Sequence, residues 1–324
     1  MSLKTKSTGE GRRLVPGTQG HVPLGRRIAR DFKQNYFKYL IILPVMAWLI
    51  LFCYKPMYGI VIAFQNYRPR LDISGSKWIG FDNFKRFFSD LFFPRVFRNT
   101  LTISFSMLLF SFPTPIILAL LLNEVRVRWF KRTVQTITYL PHFIALVVVC
   151  ALVSQFTQTD GIINDIVEFF GGERKNLLAK QSAFMPIYVI SGIWKEVGWN
   201  SIIYLAALSS IDQEQYEAAK IDGAGRLQQM LHITLPGLLP TIAMLLILQM
   251  GSIMSVGYEK ILLLYQPQTY EVADVISTYS YRKGLLENSF SYGTAIDLFN
   301  AVVNVVMLTI ANKISKKAGQ SGLF

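Results

Sequence analysis

Residues 209–236 read SSIDQEQYEAAKIDGAGRLQQMLHITLP, a polar island between two apolar stretches at 184–208 and 237–256. A bilayer core about 30 Å thick needs about 20 helical residues, so either flank is long enough to cross it. Inside the island, Asp212 is placed to cap a helix, and Gln215, three residues on, to reach back to it. Glu217 and Lys220 are three apart on that helix and can pair. Ala218 and Ala219 leave a shallow face that a groove on another protein can approach closely. Gly223 is placed to end the helix in a left-handed turn. A second short helix then leads through Ile233-Thr234-Leu235-Pro236 into the next span, with Pro236 near the helix start, where a missing N–H is tolerated.

Four further stretches meet the same length criterion, near 40–62, 100–122, 133–156 and 294–312. The expected fold is therefore all-α, a polytopic transmembrane bundle of about six spans. The stretches at 184–208 and 294–312 carry charges, and the first carries Lys55 toward its far end, where a long side chain can snorkel to the interface. Residues 1–30 form a basic, partly disordered leader, and residues 31–324 the membrane domain, with 31–39 expected along the membrane surface. Lysine and arginine set the orientation. Nine lie in residues 1–39, four more follow the second span (Arg126, Arg128, Lys131 and Arg132), and Lys313, Lys316 and Lys317 close the chain. Six spans put both termini on one side, and these residues make that side the cytoplasm, together with the loop at 209–236. The loop at 64–99 weakens the contrast, with seven basic residues against three aspartates. Within it, residues 78–98 alternate aromatics with charges as an interfacial helix does.

Composition narrows the function classes. Soluble domains carry about 25% charged residues, whereas this chain carries 16% and is 52% hydrophobic. A net charge of +13 invites a nucleic-acid reading. The basic residues nevertheless alternate with apolar spans, and no nucleic-acid motif is present. Cys53 and Cys150 both lie in apolar runs without metal-ligand spacing and read as small buried hydrophobes. His21, His142 and His232 are scattered, so neither a metal site nor a catalytic constellation is expected.

The polar island also carries a resemblance. Glu217-Ala218-Ala219, then Gly223, then Ile233-x-Leu235-Pro236 is similar to the EAA motif of ATP-binding cassette importer permeases, with both spacings kept. Ile79-Gly80-Phe81-Asp82-Asn83-Phe84, Asn99-Thr100-Leu101, Tyr139-Leu140-Pro141 and Gly161-x-x-Asn164 resemble further landmarks of that family. The resemblance implies a type I importer permease fold in the bacterial inner membrane. Its implied partners are a second, homologous permease, two ATPase subunits, a solute-binding protein and a carbohydrate substrate. It implies that Glu217, Ala218, Ala219, Asp222, Gly223, Ala224, Ile233, Leu235 and Pro236 couple this chain to an ATPase. ATP and Mg would be bound by that partner, with no cofactor on this chain, which lacks the G-x-x-x-x-G-K-[ST] phosphate loop. Where many sugar permeases carry Thr-x-Gly-Gly-Pro, this chain reads LLLYQPQTYEVADVISTYSYRKGL from Leu262 to Leu285. That departure is similar to the polysaccharide branch, including permeases of alginate importers, and implies an acidic cargo over a neutral complex oligosaccharide.

Ionisable groups at bilayer depth are costly and often mark pathways. Lys195 and Glu196, followed by Trp199 and Asn200, sit midway along the fourth span. As neighbours in sequence the first two are not expected to pair across a helix face, so each needs another partner or water. Asp297, Asn300 and Asn304 share one face of the sixth span, and Gln249, Ser252 and Ser255 recur at helical spacing in the fifth. These are the candidate substrate-pathway residues; interhelical polar contacts are the alternative reading. A secondary transporter would have no need of the 209–236 loop, and a membrane-embedded enzyme would want clustered histidines or cysteines.

Overall fold

The computed structural model describes residues 24–320 and 322–323. Residues 1–23, most of the basic leader, lie outside the described residues, as do 321 and 324. The chain divides into two units, one ending at Tyr58 and one beginning at Gly59. In the first, the helix Leu24–Trp48 contains the stretch expected along the membrane surface and bends at Asn35, whose φ of −119° and ψ of 19° are not helical. Asn35 turns its amide onto Asp31 at 2.7 Å.

Five stretches among the described residues are long and apolar enough to cross a membrane: Asp31–Phe64, Phe93–Glu124, Leu146–Phe169, Arg226–Met250 and Phe290–Lys317. The helix Gln181–Ser209 matches them in length with 29 residues, about 44 Å at 1.5 Å per residue. Lys195, Glu196 and Asn200 at its centre keep it below the same apolar standard. The expected spans thus reappear with shifted ends, and one is not continuous. The stretch 133–156 is broken: the helix Arg128–Tyr139 gives way to a tight turn at Leu140–Phe143 before Leu146–Thr157 resumes. Pro141 is the cause, because it has no N–H to donate and disfavours helix in the residue before it.

Prolines shape the other spans in a consistent way. Pro56, Pro113 and Pro236 each follow a π-helical turn, at Leu49–Tyr54, Met107–Ser111 and Met230–Thr234. The residue just before each proline donates its N–H five residues back: Lys55 to Ile50, Phe112 to Met107 and Leu235 to Met230. The wider turn absorbs the mismatch that a proline introduces into the usual ladder. Pro236 is the second residue of the α-helical stretch Leu235–Met250, near its start as expected, and the π turn joins that stretch without a gap to the helix Arg226–Gln229.

The segment 78–98 differs from the expectation of one interfacial helix. Two-residue strands, Gln65–Asn66 and Lys77–Trp78, pair antiparallel, a short helix Asp82–Phe88 follows, and the next helix begins at Phe93. Asp90 and Pro94 explain the interruption: the Asp90 carboxylate accepts the Phe92 N–H at 2.9 Å, closing a turn instead of a helical ladder. Buried asparagines tie such irregular segments down. Asn83 donates to the Ala63 and Gln65 carbonyls, Asn99 to those of Glu271 and Asp274, and Asn164 to those of Gln158 and Lys175. In a low-dielectric surrounding, each satisfies carbonyls that no helix or sheet would reach.

Three apolar clusters hold the second unit. Phe184, Tyr188, Ile261 and Leu264 pack with Ile103 and Cys150. Phe87, Tyr279, Tyr292 and Ile296 form a second group. Tyr204, Leu208 and Leu238 form a third, next to the 209–236 loop. Gly198 lets the helices Gln181–Ser209 and Arg128–Tyr139 touch: a Cβ there would stand 2.1 Å from the Thr138 carbonyl oxygen. Small residues at such crossings are how membrane helices approach closely.

Candidate functional sites: a charged cavity and an exposed loop

The broken helix around Pro141 has a chemical consequence. A break leaves carbonyls without the N–H groups of a following turn, and the His142 carbonyl accepts from Lys195 Nζ at 2.9 Å. His142 Nδ1 stands 2.7 Å from Glu196 Oε2, and Lys195 Nζ stands 3.0 Å from Glu196 Oε1. The expectation that Lys195 and Glu196 do not pair is thus corrected. Their long side chains curve toward each other where His142 holds one oxygen of the carboxylate. The Trp199 ring stacks on His142 at 4.3 Å with the planes 1° apart.

Lys195 and Glu196 line a cavity of about 640 Å³ between the helix Gln181–Ser209 and its neighbours. Asn200, Gln249 and Ser252 also line it, and Tyr188, Gly192, Tyr204 and Lys260 complete its polar and aromatic wall. Five of the expected pathway residues therefore meet in one cavity. The others stand elsewhere. Trp199 backs His142 and is 41% exposed. Asp297 borders a second cavity of about 300 Å³, with Tyr258, Ser280 and Tyr281. Asn300 and Asn304 are buried. Asn304 accepts the Met254 N–H at 2.8 Å and donates to Ser255 Oγ at 2.9 Å, which is an interhelical contact holding the chain where the fifth span ends.

Sequence reasoning missed Lys260. Its ammonium is buried, donates to the Tyr188 carbonyl at 2.6 Å and lies 4.4 Å from the centre of the Tyr188 ring. The available signal was a lone lysine before the run Ile261-Leu262-Leu263-Leu264, and it passed unweighed because the partner is 72 residues away. His142, which reads as a scattered histidine in the sequence, likewise meets its partner Glu196 only across 54 residues.

At the C-terminal end of the helix Gln181–Ser209 lies the polar island 209–236. Asp212 Oδ1 accepts the Glu214 N–H at 3.0 Å, capping the helix Gln213–Ile221. Gly223 ends it with φ +78°, and the Ala224 N–H returns to the Ala219 carbonyl at 2.8 Å, a bond that glycine's freedom at positive φ permits. The expected Gln215 reach-back and Glu217–Lys220 pair are not formed among the described residues. No residue of Gln213–Ile221 is buried, and Ile221 is 87% exposed. One bond ties the helix to the span that follows: Tyr216 Oη lies 3.0 Å from Thr234 Oγ1. Ala219, Asp222, Gly223, Ala224 and Ile233 border a shallow cleft of about 340 Å³.

A model of the family described as the binding-protein-dependent transport system inner membrane component matches residues 111–318. This chain belongs to that family. It is a multi-pass membrane permease, and the matched region includes both the cavity helix and the exposed loop. It is 45% identical to the polygalacturonan/rhamnogalacturonan transport system permease protein YteP of Bacillus subtilis, over 92% of this chain and 94% of that protein. Identity to an arabinooligosaccharides transport system permease of the same organism, AraP, is 27% over 86% of this chain and 88% of that one. Among solved structures, it resembles a chain of a bacterial ABC transporter involved in the import of the acidic polysaccharide alginate. The identity is 46%, the TM-score 0.84, and the match covers 90% of this chain and 99% of that one. A second structure holds the alginate transporter with an alginate pentasaccharide-bound periplasmic protein, and a chain of it matches at TM-score 0.85 with 45% identity, over 92% of this chain and all of that one.

Proposed function

We propose that this permease imports an acidic oligo- or polysaccharide fragment, as one of two homologous membrane subunits served by a solute-binding protein and driven by two ATPase subunits. The observation that carries the reading is the likeness, at 45–46% identity over nine-tenths of the chain, to permeases whose cargoes are a galacturonan and alginate. The cavity agrees with it: two ammonium groups, Lys195 and Lys260, border it with one carboxylate, Glu196. A uronate losing its hydration in such a space is stabilised by fixed positive charge. Asn200, Gln249 and Ser252 supply hydrogen-bonding groups suited to sugar hydroxyls.

The loop supplies the coupling. The helix around Glu217, Ala218 and Ala219, ended by Asp222-Gly223-Ala224 and carried into the membrane through Ile233, Leu235 and Pro236, seats in a groove of an ATPase and passes its closure to the cavity helix. Coupling of this kind needs a rigid element with two arrangements biased from both sites. The capped helix, bonded through Tyr216 to Thr234, has the required rigidity. ATP and Mg belong to the partner, and this chain performs no hydrolysis of its own. The distribution of basic residues supports a cytoplasmic loop and cytoplasmic termini, with 159–183 and 263–290 outside. Impermeant thiol reagents should then label a cysteine at Ser182, but not one at Ser209, in intact cells.

The test is uptake by proteoliposomes holding the complete complex with its binding protein. ATP-dependent entry of uronate oligomers, well above neutral oligomers of equal length, is the expected result. Equal or better entry of the neutral oligomers would refute the acidic cargo, and entry without ATP hydrolysis would refute the coupled importer.

A further inference from the structure

The two lysines of the cavity are not equivalent. Lys195 is already neutralised: Glu196 stands 3.0 Å away and the His142 carbonyl takes another of its protons at 2.9 Å. The remaining oxygen of Glu196 faces His142 Nδ1. Lys195, Glu196 and His142 therefore form a closed set with little capacity for a further anion. Lys260 differs. Among the described residues no carboxylate forms an ion pair with it, and its contacts are one carbonyl and one ring face, both of Tyr188. An ammonium carries three donors, and a buried charge without a counter-charge is costly. The wall beside Lys260 is bare, because a Cβ on Gly192 would come within 3.1 Å of Nζ.

We infer that Lys260, rather than Lys195, is the specificity-determining group for the carboxylate of the cargo, with Tyr188 and Gly192 holding its ammonium at the cavity wall. The inference rests on the acidic-cargo reading. On entering, the carboxylate supplies a counter-charge in direct contact, which the protein provides only at longer range from Glu196, so binding offsets two desolvation costs together. A cargo without the carboxylate offsets neither. A merely structural Lys260, stapling the helix Tyr258–Leu264 to the helix Gln181–Ser209, would make no such distinction between cargoes.

The experiment compares a galacturonate trimer with its methyl ester, which keeps the size and hydroxyls and removes the charge. Initial uptake rates over a range of concentrations, in the complete reconstituted complex, give kcat/KM for each. The same binding protein delivers both cargoes to every variant, so its own selectivity cancels when variants are compared. Lys260→Met should lower the trimer-to-ester ratio about 10-fold or more, the scale of a charge-assisted hydrogen bond. Lys260→Arg should retain most of the ratio, and removing the Lys195–Glu196 pair as a unit, Lys195→Met with Glu196→Gln, should change it less than about twofold. Gly192→Ala, which crowds Nζ while keeping the charge, should lower it severalfold and carries the test if Lys260→Met does not assemble. An unchanged ratio in Lys260→Met, or in Gly192→Ala where it must stand alone, would overturn the assignment, as would a ratio that collapses only when Lys195→Met and Glu196→Gln are combined. Wild type with no preference for the trimer would overturn the acidic-cargo reading and this assignment together. A wild-type preference that survives in Lys260→Met would overturn the assignment alone.

Discussion

The segment 265–282 and the loop 209–225 are both polar excursions from the membrane, and they use their polar groups in opposite ways. In the first, Asp274 is fully buried between Arg282 at 2.7 Å and Arg95 at 3.3 Å. Thr278 donates to it at 2.8 Å, and the Ile276 N–H reaches Thr100 Oγ1 at 2.9 Å. Every charge there is spent inside the chain. In the second, no residue of the helix Gln213–Ile221 is fully buried, and Ala218 and Ile221 are left open. A buried, closed network makes a fixed clamp, whereas a capped helix with no interior of its own is a surface for something else to grip. The contrast is the basis for the proposed division between a part of the permease that stays in place and a part that transmits movement.

The largest expected effect lies in the clamp. Asp274→Ala leaves Arg282 without its counter-ion and Arg95 with only the exposed Glu271, 3.4 Å away, and a buried pair that loses one partner costs about 3–5 kcal/mol. Thermal unfolding of the purified complex should show a clear fall in its midpoint, and an unchanged midpoint would remove the clamp from the account. Gly223→Ala forces a Cβ into φ +78° and should cost about 1–2 kcal/mol locally. Because no residue of the helix Gln213–Ile221 is buried and Gly223 itself is exposed, the global midpoint should barely move while substrate-stimulated ATPase activity falls. If the midpoint drops as for Asp274→Ala, the loop is part of the core after all. Asp212→Ala removes a cap worth about 1 kcal/mol and should weaken coupling in the same direction by less.

The difference between the regions also explains what the sequence made legible. Asp212 and Gly223 act on bonds within a few residues, so spacing alone pointed to them. Spans were visible because lipid imposes one length and one polarity, yet Pro141 split a span that composition left whole. Asp90 and Pro94 likewise split the aromatic stretch 78–98. Lys195, Glu196 and His142 assemble across 53 and 54 residues, Lys260 and Tyr188 across 72, and Asp274 and Arg95 across 179. No local periodicity records such meetings. A polar residue in a span reads the same whether it lines a cavity, as Gln249 does, or fastens a neighbour, as Asn304 does.

The smallest expected effect is a pH dependence at the edge of the clamp. Partial burial raises the Asp90 carboxyl, but the Tyr279 hydroxyl, the Phe92 N–H and the Tyr292 hydroxyl outweigh it and hold the group below its ordinary range. A carboxyl depressed by folding contributes stability at pH above its unfolded value of about 3.9 and loses it as pH falls through the folded value. Wild type should therefore lose slightly more of its unfolding midpoint between neutral pH and that acid window than Asp90→Asn does. Equal losses would show that these hydrogen bonds add nothing to stability.

The division between a clamp that serves the chain and a loop that serves a partner is tested most directly by amide hydrogen exchange. The measurement compares the complete complex with the same membrane subunits stripped of their ATPases. Protection at 213–225 should rise clearly when the ATPases are present, while protection at 270–282 stays the same in both. Equal protection of 213–225 with and without the ATPases would contradict the account.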